Sequence, residues 1–224
     1  MSEHFLRARK PEEKELRSKH LLVTARALLE KDSDLNKLSL NDIARTAGMA
    51  KANVYRYFET REALLLELLW TEWQDWFAEF QKKWMLQSTR SRDLKGLIAL
   101  FAETIAGKPL LCSLTAALPA VLEVNLSAEK VKEFKINSLH FFGEIAVHFE
   151  ACCPELTSQE YATLLQDTIT FIVGLYPFAS PNETVARVLL HPELSFFRRD
   201  FRGELERYLI AVASSLIHKQ FLVK

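Results

Sequence analysis

Apolar residues recur at helical spacing along most of the chain, and the stretches that interrupt them carry helix breakers or caps. After Pro11, the acids Glu12, Glu13 and Glu15 stand where a helix N-terminus favours negative charge, and Leu22, Ala25, Leu28 and Leu29 follow on one face. This predicts a helix ending near Lys31. The polar run from Asp32 to Lys37 predicts a loop. Ser39, with Asp42 three residues later, then has the form of a capping box and opens a short helix whose apolar side is Ile43, Ala44 and Ala47. Gly48 ends it, because glycine takes a left-handed conformation without a Cβ penalty. A third helix is expected from Ala50 or Lys51 to about Phe58, and Thr60 can cap a fourth. Two short helices joined through one glycine form a helix-turn-helix, and the first helix must supply the surface on which they pack.

Beyond residue 62 the pattern changes to longer amphipathic helices, expected near 62–87, 92–106, 110–122, 127–151, 158–178, 182–190 and 201–221. Gly107-Lys108-Pro109, Asn125-Leu126-Ser127, Cys153-Pro154 and Ser180-Pro181-Asn182 separate them, and Thr157 with Glu160 is a second capping box. The expected class is all-α, with a three-helix unit over residues 1–62 and a larger helical bundle over 63–224.

Composition narrows this further. With 224 residues, 49% apolar, and only six glycines and seven prolines, the chain is neither disordered nor collagen-like, and a many-stranded sandwich lacks its turn residues. Cys112, Cys152 and Cys153 include no Cys-x-x-Cys pair, and the first residues are charged where a secretory leader would be apolar. A reducing, cytoplasmic location is the expectation. The nearly apolar stretch 110–122 is interrupted by Ser113 and Pro119 and is shorter than the roughly 20 residues that span a bilayer, so no membrane association is expected.

The formal charge is zero, from 29 basic and 29 acidic residues, which taken alone argues against nucleic acid. The two regions differ, however. Residues 1–62 hold 13 basic against 10 acidic residues, and 63–224 hold 16 against 19. From Ile43 to Arg61 the basic residues are Arg45, Lys51, Arg56 and Arg61, against Glu59 alone.

In the third helix Lys51 and Tyr55 share one face, and Val54 and Phe58 share the opposite apolar one. Lys51 and Asn53 suit base edges in a major groove, Ala50 and Ala52 allow close approach, and Tyr55, Arg56, Tyr57 and Arg61 suit phosphates. Tyr55 and Tyr57 lie about 200° apart on an ideal helix, so both face the groove only if the helix ends there. The run Asp42-Ile43-Ala44, Ala47-Gly48, Lys51 through Val54-Tyr55-Arg56-Tyr57-Phe58, then Ala63-Leu64-Leu65, resembles the DNA-binding domain of TetR-family transcriptional regulators. The resemblance covers about the first 65 residues. It implies operator contacts at Asn41, Lys51, Ala52, Asn53, Tyr55, Tyr57 and Arg61, with Ser39 capping the supporting helix. Two departures stand out: Asp32-Ser33-Asp34 where the family usually closes its first helix with glycine, and Ala50 where it often has Ser or Thr. The second removes a cap worth about 1 kcal/mol and leaves the recognition helix prone to fraying.

For the larger domain the resemblance implies a homodimer formed by the last two long helices and an effector cavity in the bundle. Leu165, Ile169 and Ile172, with Leu205, Leu209 and Val212, are the candidate pairing faces, and the alternative is that they form only the chain's own core. Trp73, Phe77, Phe80 and Trp84 make an aromatic stripe that is core or cavity wall. With Phe101 and Phe171, it points to a small apolar or aromatic effector, for which His140 and Glu144 are the candidate polar lining. His140, Glu144, His148 and Cys152 fall in one row, which cannot surround a tetrahedral ion without another element, so no metal or other cofactor is expected. No phosphate loop or nucleophile elbow indicates an enzyme. The expected function is a repressor released from palindromic double-stranded operator DNA by its effector. An activator of the same fold, and a helical small-molecule-binding protein that no longer touches DNA, are the alternatives.

Overall fold

The computed structural model describes residues 11–88 and 92–222, and among these it contains helices and turns but no strand. The chain forms two compact units, Met1–Leu68 and Leu69–Lys224.

In the first unit, α1 (Pro11–Lys31), α2 (Leu40–Thr46), α3 (Lys51–Val54) and the start of α4 (Arg61–Leu86) enclose Leu21, Ala25, Leu29, Ile43, Val54 and Phe58. Ser39 caps α2 by accepting from the Asp42 amide at 3.2 Å. Its hydroxyl donates to the Asp42 carboxylate, which also receives Arg45 at 2.7 Å. The helix ends at Gly48, whose φ of 64° is left-handed. The Gly48 amide donates to the Arg45 carbonyl at 3.3 Å and the Met49 amide to Ala44 at 2.9 Å, the paired bonds of a Schellman ending. The His20 ring nitrogen donates to the Ala47 carbonyl at 3.3 Å, tying α1 to this turn.

The third helix is shorter than its pattern predicts. Only Lys51–Val54 is α-helical, and Ala50 provides no side-chain cap. Beyond it the Arg56 amide donates to Asn53 at 3.2 Å and the Tyr57 amide to Val54 at 2.9 Å, a tightened i to i+3 winding. β-branched Val54 and three aromatics in four residues lose rotamer freedom in a helix, while Val54 and Phe58 are held in the core.

The first unit also takes in the first two turns of α4, where the expected boundary excluded them. Leu64, Leu65 and Leu68 there are buried.

The second unit contains the rest of α4, then α5 (Leu94–Ala106), α6 (Pro109–Ala117), α7 (Ala128–Cys152), α8 (Ser158–Ala179), α9 (Glu183–Val188) and α10 (Phe201–Leu222). α8 packs against α6, α7 and α10, and α10 against α5. The helix expected over 110–122 is interrupted. Pro119 has no amide to donate to Thr115, so Leu118–Leu122 winds as a π-turn in which the Glu123 amide reaches Leu118 at 3.1 Å. A 3-10 turn at Pro192–Phe197, absent from the sequence pattern, separates α9 from α10.

Trp76, Phe80, Phe149 and Tyr161 are fully buried at the centre. Trp76 meets Phe101 edge to face with ring centres 5.1 Å apart, and Phe80 lies 5.2 Å from Phe149. The Trp76 indole donates to the Thr104 hydroxyl at 3.1 Å, and Thr104 in turn donates to the Leu100 carbonyl. The Tyr161 hydroxyl donates to the Cys153 carbonyl at 2.7 Å. The polar tips of Trp76, Thr104 and Tyr161 therefore each have a partner. No single helix among the described residues is long and apolar enough to cross a membrane.

Candidate nucleic-acid interface

The Schellman ending of α2 and the burial of Val54 and Phe58 together fix the roll of α3, so that Lys51, Ala52, Tyr55 and Arg56 are exposed and Asn53 and Tyr57 half-buried. Asn41, in the first turn of α2, is also exposed, while Ser39 is occupied by its capping role. The Lys51 ammonium lies 5.7 Å from the centre of the Tyr55 ring. Because α-helical winding ends at Val54, the 200° separation that an ideal helix would impose on Tyr55 and Tyr57 does not apply. Tyr57 is the more enclosed of the two, and its hydroxyl is buried without a hydrogen-bond partner.

The four cations counted from Ile43 to Arg61 do not all contribute free charge. Arg45 is paired with Asp42 at 2.7 Å, and the Ser39 hydroxyl, with Arg45, holds the Asp42 carboxyl below its ordinary range. Arg61 contacts Glu62 through Nη2 at 2.7 Å and Nε at 3.0 Å, and donates to the carbonyls of Leu35 and Asn36 at 3.4 and 3.3 Å. Both neutralising acids stand just outside the counted stretch. Lys51 and Arg56 form no ion pair among the described residues, so the uncommitted positive charge is concentrated on α3 and the turn that follows it. Arg61 is enclosed by its partners and braces the α1–α2 loop, a role its position in the sequence did not indicate.

The candidate effector residues are not brought to one site. Trp73, Phe80 and Phe101 are buried, and Phe77 packs edge to face on His148 at 5.5 Å and Phe141 at 6.0 Å. His140 and Glu144 are exposed on α7. Phe171 stacks on Tyr208 at 4.0 Å in a groove between α8 and α10. The void bordered by Leu97, Phe101, Phe149, Leu165, Thr168 and Leu209 is about 10 Å³, room for about one water. Trp73, Phe80 and Trp84 of the aromatic stripe are buried as core residues. Burial pushes the Cys112 and Cys153 thiols up to about 12, and desolvation lowers the His148 ring below its ordinary value. No group of three or more His, Cys, Asp or Glu among the described residues could hold a metal ion.

The candidate dimer residues divide in the same way. Leu165, Ile172, Leu205 and Leu209 are buried within the chain, whereas Ile169 and Val212 are half-buried. The outward row of α8 is Gln159, Thr163, Gln166, Thr170 and Gly174, and that of α10 includes Ile210, Ala211, Ser214 and Ser215. The α8 row carries no charge, whereas Arg207, exposed one turn before Ala211, places a cation on the outward row of α10.

Residues 21–68 match the family model for bacterial regulatory proteins of the tetR family, and residues 70–218 match a tetracyclin repressor-like C-terminal domain. Among solved structures, the chain is 15% identical to the fatty acid degradation regulator FadR from Bacillus halodurans, covering 94% of this chain and 97% of that one, with a TM-score of 0.49. It is 18% identical to NalD from Pseudomonas aeruginosa, described as the secondary repressor of the MexAB-OprM multidrug efflux pump, covering 90% and 96% at a TM-score of 0.47. A TetR family transcriptional regulator from Chloroflexus aurantiacus is 19% identical, covering 92% and 94% at 0.43. A comparison with curated proteins found no match.

Proposed function

Because the chain belongs to the TetR family of bacterial regulators, whose members bind operator DNA and act as dimers, we propose that it is a homodimeric repressor of transcription that leaves a palindromic operator when a small molecule binds its second unit. The observation that carries this reading is the free face of α3. Lys51, Ala52, Tyr55 and Arg56 are all exposed there, with the two cations uncommitted, while Val54 and Phe58 anchor the turn. Lys51 and Asn53 would meet base edges, and Tyr55, Arg56 and Tyr57 the phosphates. The buried, partnerless Tyr57 hydroxyl would gain an acceptor by a small movement toward a phosphate. Ser39 and Arg61 hold the frame from behind.

The uncharged outward row of α8, and that of α10 beyond Arg207, favour pairing of two copies there, since interface cores are depleted of charge. Two copies would present two α3 faces to successive half-sites. An apolar effector that binds beside Phe101 and Phe149 would open the packed core there, because the present void admits about one water. If it binds the opened form better than the DNA-competent one, it weakens operator affinity by the same coupling free energy that DNA imposes on it. Such a protein works where the DNA is, in the cytoplasm.

Immobilised protein exposed to genomic DNA fragments from its source organism is expected to retain a small set sharing a palindrome, and Lys51→Ala protein to retain none of them selectively. Retention of no fragments by the wild type would favour a small-molecule carrier that no longer touches DNA.

A further inference from the structure

The segment joining α8 to α10 contains α9 and the Pro192–Phe197 turn, and neither buries a residue in its own chain. It is nonetheless a built structure. The Asn182 carboxamide oxygen accepts from the Val185 amide at 3.0 Å, capping α9. The Arg198 guanidinium donates to the carbonyls of Leu189, Leu190 and His191 at 2.7, 3.1 and 3.2 Å. These polar ties hold the arm in shape without giving it a core, and helices this short do not stand on backbone bonds alone. Its largest side chains face outward. Phe196 is 82% and Phe197 58% exposed, their rings edge to face at 5.5 Å.

The same chain carries a groove that no side chain of the described residues fills. A groove of about 400 Å³ on α8 and α10 is lined by Phe171, Gly174, Leu175, Phe178 and Tyr208, with the Arg199–Glu204 ion pair on its wall. No residue of 183–197 lines it, so the arm does not fill the groove of its own chain. A Cβ placed on Gly174 would meet nothing within 4 Å.

We propose that the arm of one copy seats Phe196 and Phe197 in this groove on a second copy, and that the second copy does the same in return. This rests on the reading that two copies pair through α8 and α10. Aromatic knobs and an apolar hollow on one chain, neither covered by its described residues, are what an isologous two-fold contact requires. The groove is continuous with the uncharged row Gln159, Thr163, Gln166 and Thr170 of α8. Covering Phe178, which is 68% exposed, together with Phe196 and Phe197 removes roughly 400 Å² of apolar surface per copy. That is about half of the ~800 Å² each partner contributes to a standard interface. The arm thus acts as a clasp, and its release loosens the dimer without unfolding either chain.

Sedimentation of the full chain tests this with three variants: Phe196→Ser/Phe197→Ser, Phe178→Ser in the groove, and the two combined, each checked for unchanged helical circular dichroism. The wild type is expected to be a dimer, the arm variant and the groove variant each to raise its dissociation constant at least tenfold, and the combined variant to be no weaker than the worse of the two. An arm variant that dimerises like the wild type overturns the clasp and leaves α8–α10 pairing intact. Additive weakening in the combined variant also overturns it, because the arm then docks elsewhere. A monomeric wild type removes the pairing reading and the clasp together.

Discussion

The Lys51 ammonium rests 5.7 Å from the centre of the Tyr55 ring, one turn further along the exposed side of α3. The contact pre-orders a flexible cation beside a phenol, so both reach DNA in a defined relation. Tyr55→Phe keeps the ring and removes only the hydroxyl. Operator affinity is expected to fall roughly tenfold, the scale of one hydrogen bond to a charged acceptor, with Tm unchanged. Titration of a labelled operator duplex together with a thermal melt separates binding from folding.

Arg56 and Arg61 are both basic and close in sequence, yet their variants should differ in kind. Arg56→Ala removes an uncommitted cation from each protomer. The slope of log affinity against log salt should become shallower by about two for a dimer. Arg61→Ala leaves that slope alone but strips Glu62, which is buried, of its partner. The first unit should lose about 3 kcal/mol, read from urea unfolding.

Gly48 carries the only positive φ among the described residues, and open space surrounds its Cβ position. Gly48→Ala therefore costs backbone energy alone, about 1–2 kcal/mol, and Gly48→Asn less, because asparagine tolerates the left-handed region. Equal destabilisation by the two variants in denaturant would exclude this cause.

These local features were readable in the sequence because they need only neighbours. Ser39 with Asp42, Gly48 after a short apolar run, and Thr157 with Glu160 each announce a cap through residues three or four apart. Arg61 was not readable, since its acceptors at Leu35 and Asn36 lie 26 and 25 residues away and its acid lies one residue past the stretch from Ile43 to Arg61. Apolar periodicity found Leu165, Ile172, Leu205 and Leu209 correctly as one face, but periodicity finds whatever is buried. The chain's own core claimed that face, and the outward rows of α8 and α10, polar apart from Ile210 and Ala211, do not show in a hydrophobic pattern. The aromatic stripe of α4 was likewise legible as a face. Its closure against Phe101 and Phe149 depends on helices far along the chain.

Thr104 accepts the Trp76 indole hydrogen within the core of the second unit. Thr104→Val preserves shape and leaves that N–H buried without its acceptor, so a loss of about 1–3 kcal/mol is expected. Trp76→Phe/Thr104→Val should lose less than the sum of the two single losses, the signature of a coupled polar pair, in the same unfolding assay.

Burial lowers the His148 ring below its ordinary value of 6.5, so the unfolded chain takes up this proton more readily than the folded one. Stability contributed at this site is complete above pH 6.5 and declines as the pH falls through and below that value. His148→Gln should flatten this part of the profile in Tm measurements taken between pH 8 and pH 5 at constant ionic strength. An unchanged difference between the two ends would remove His148 as its source.

The claim that the exposed face of α3 reads DNA is tested most directly by comparing wild-type and Lys51→Ala protein on a captured palindrome and on a scrambled duplex at one salt concentration. The wild type should prefer the palindrome strongly, and Lys51→Ala should lose at least tenfold on it with little change on the scrambled duplex, as for a base contact of about 1–3 kcal/mol. Equal wild-type binding to both duplexes, or Lys51→Ala binding indistinguishable from wild type, would show that α3 does not read sequence.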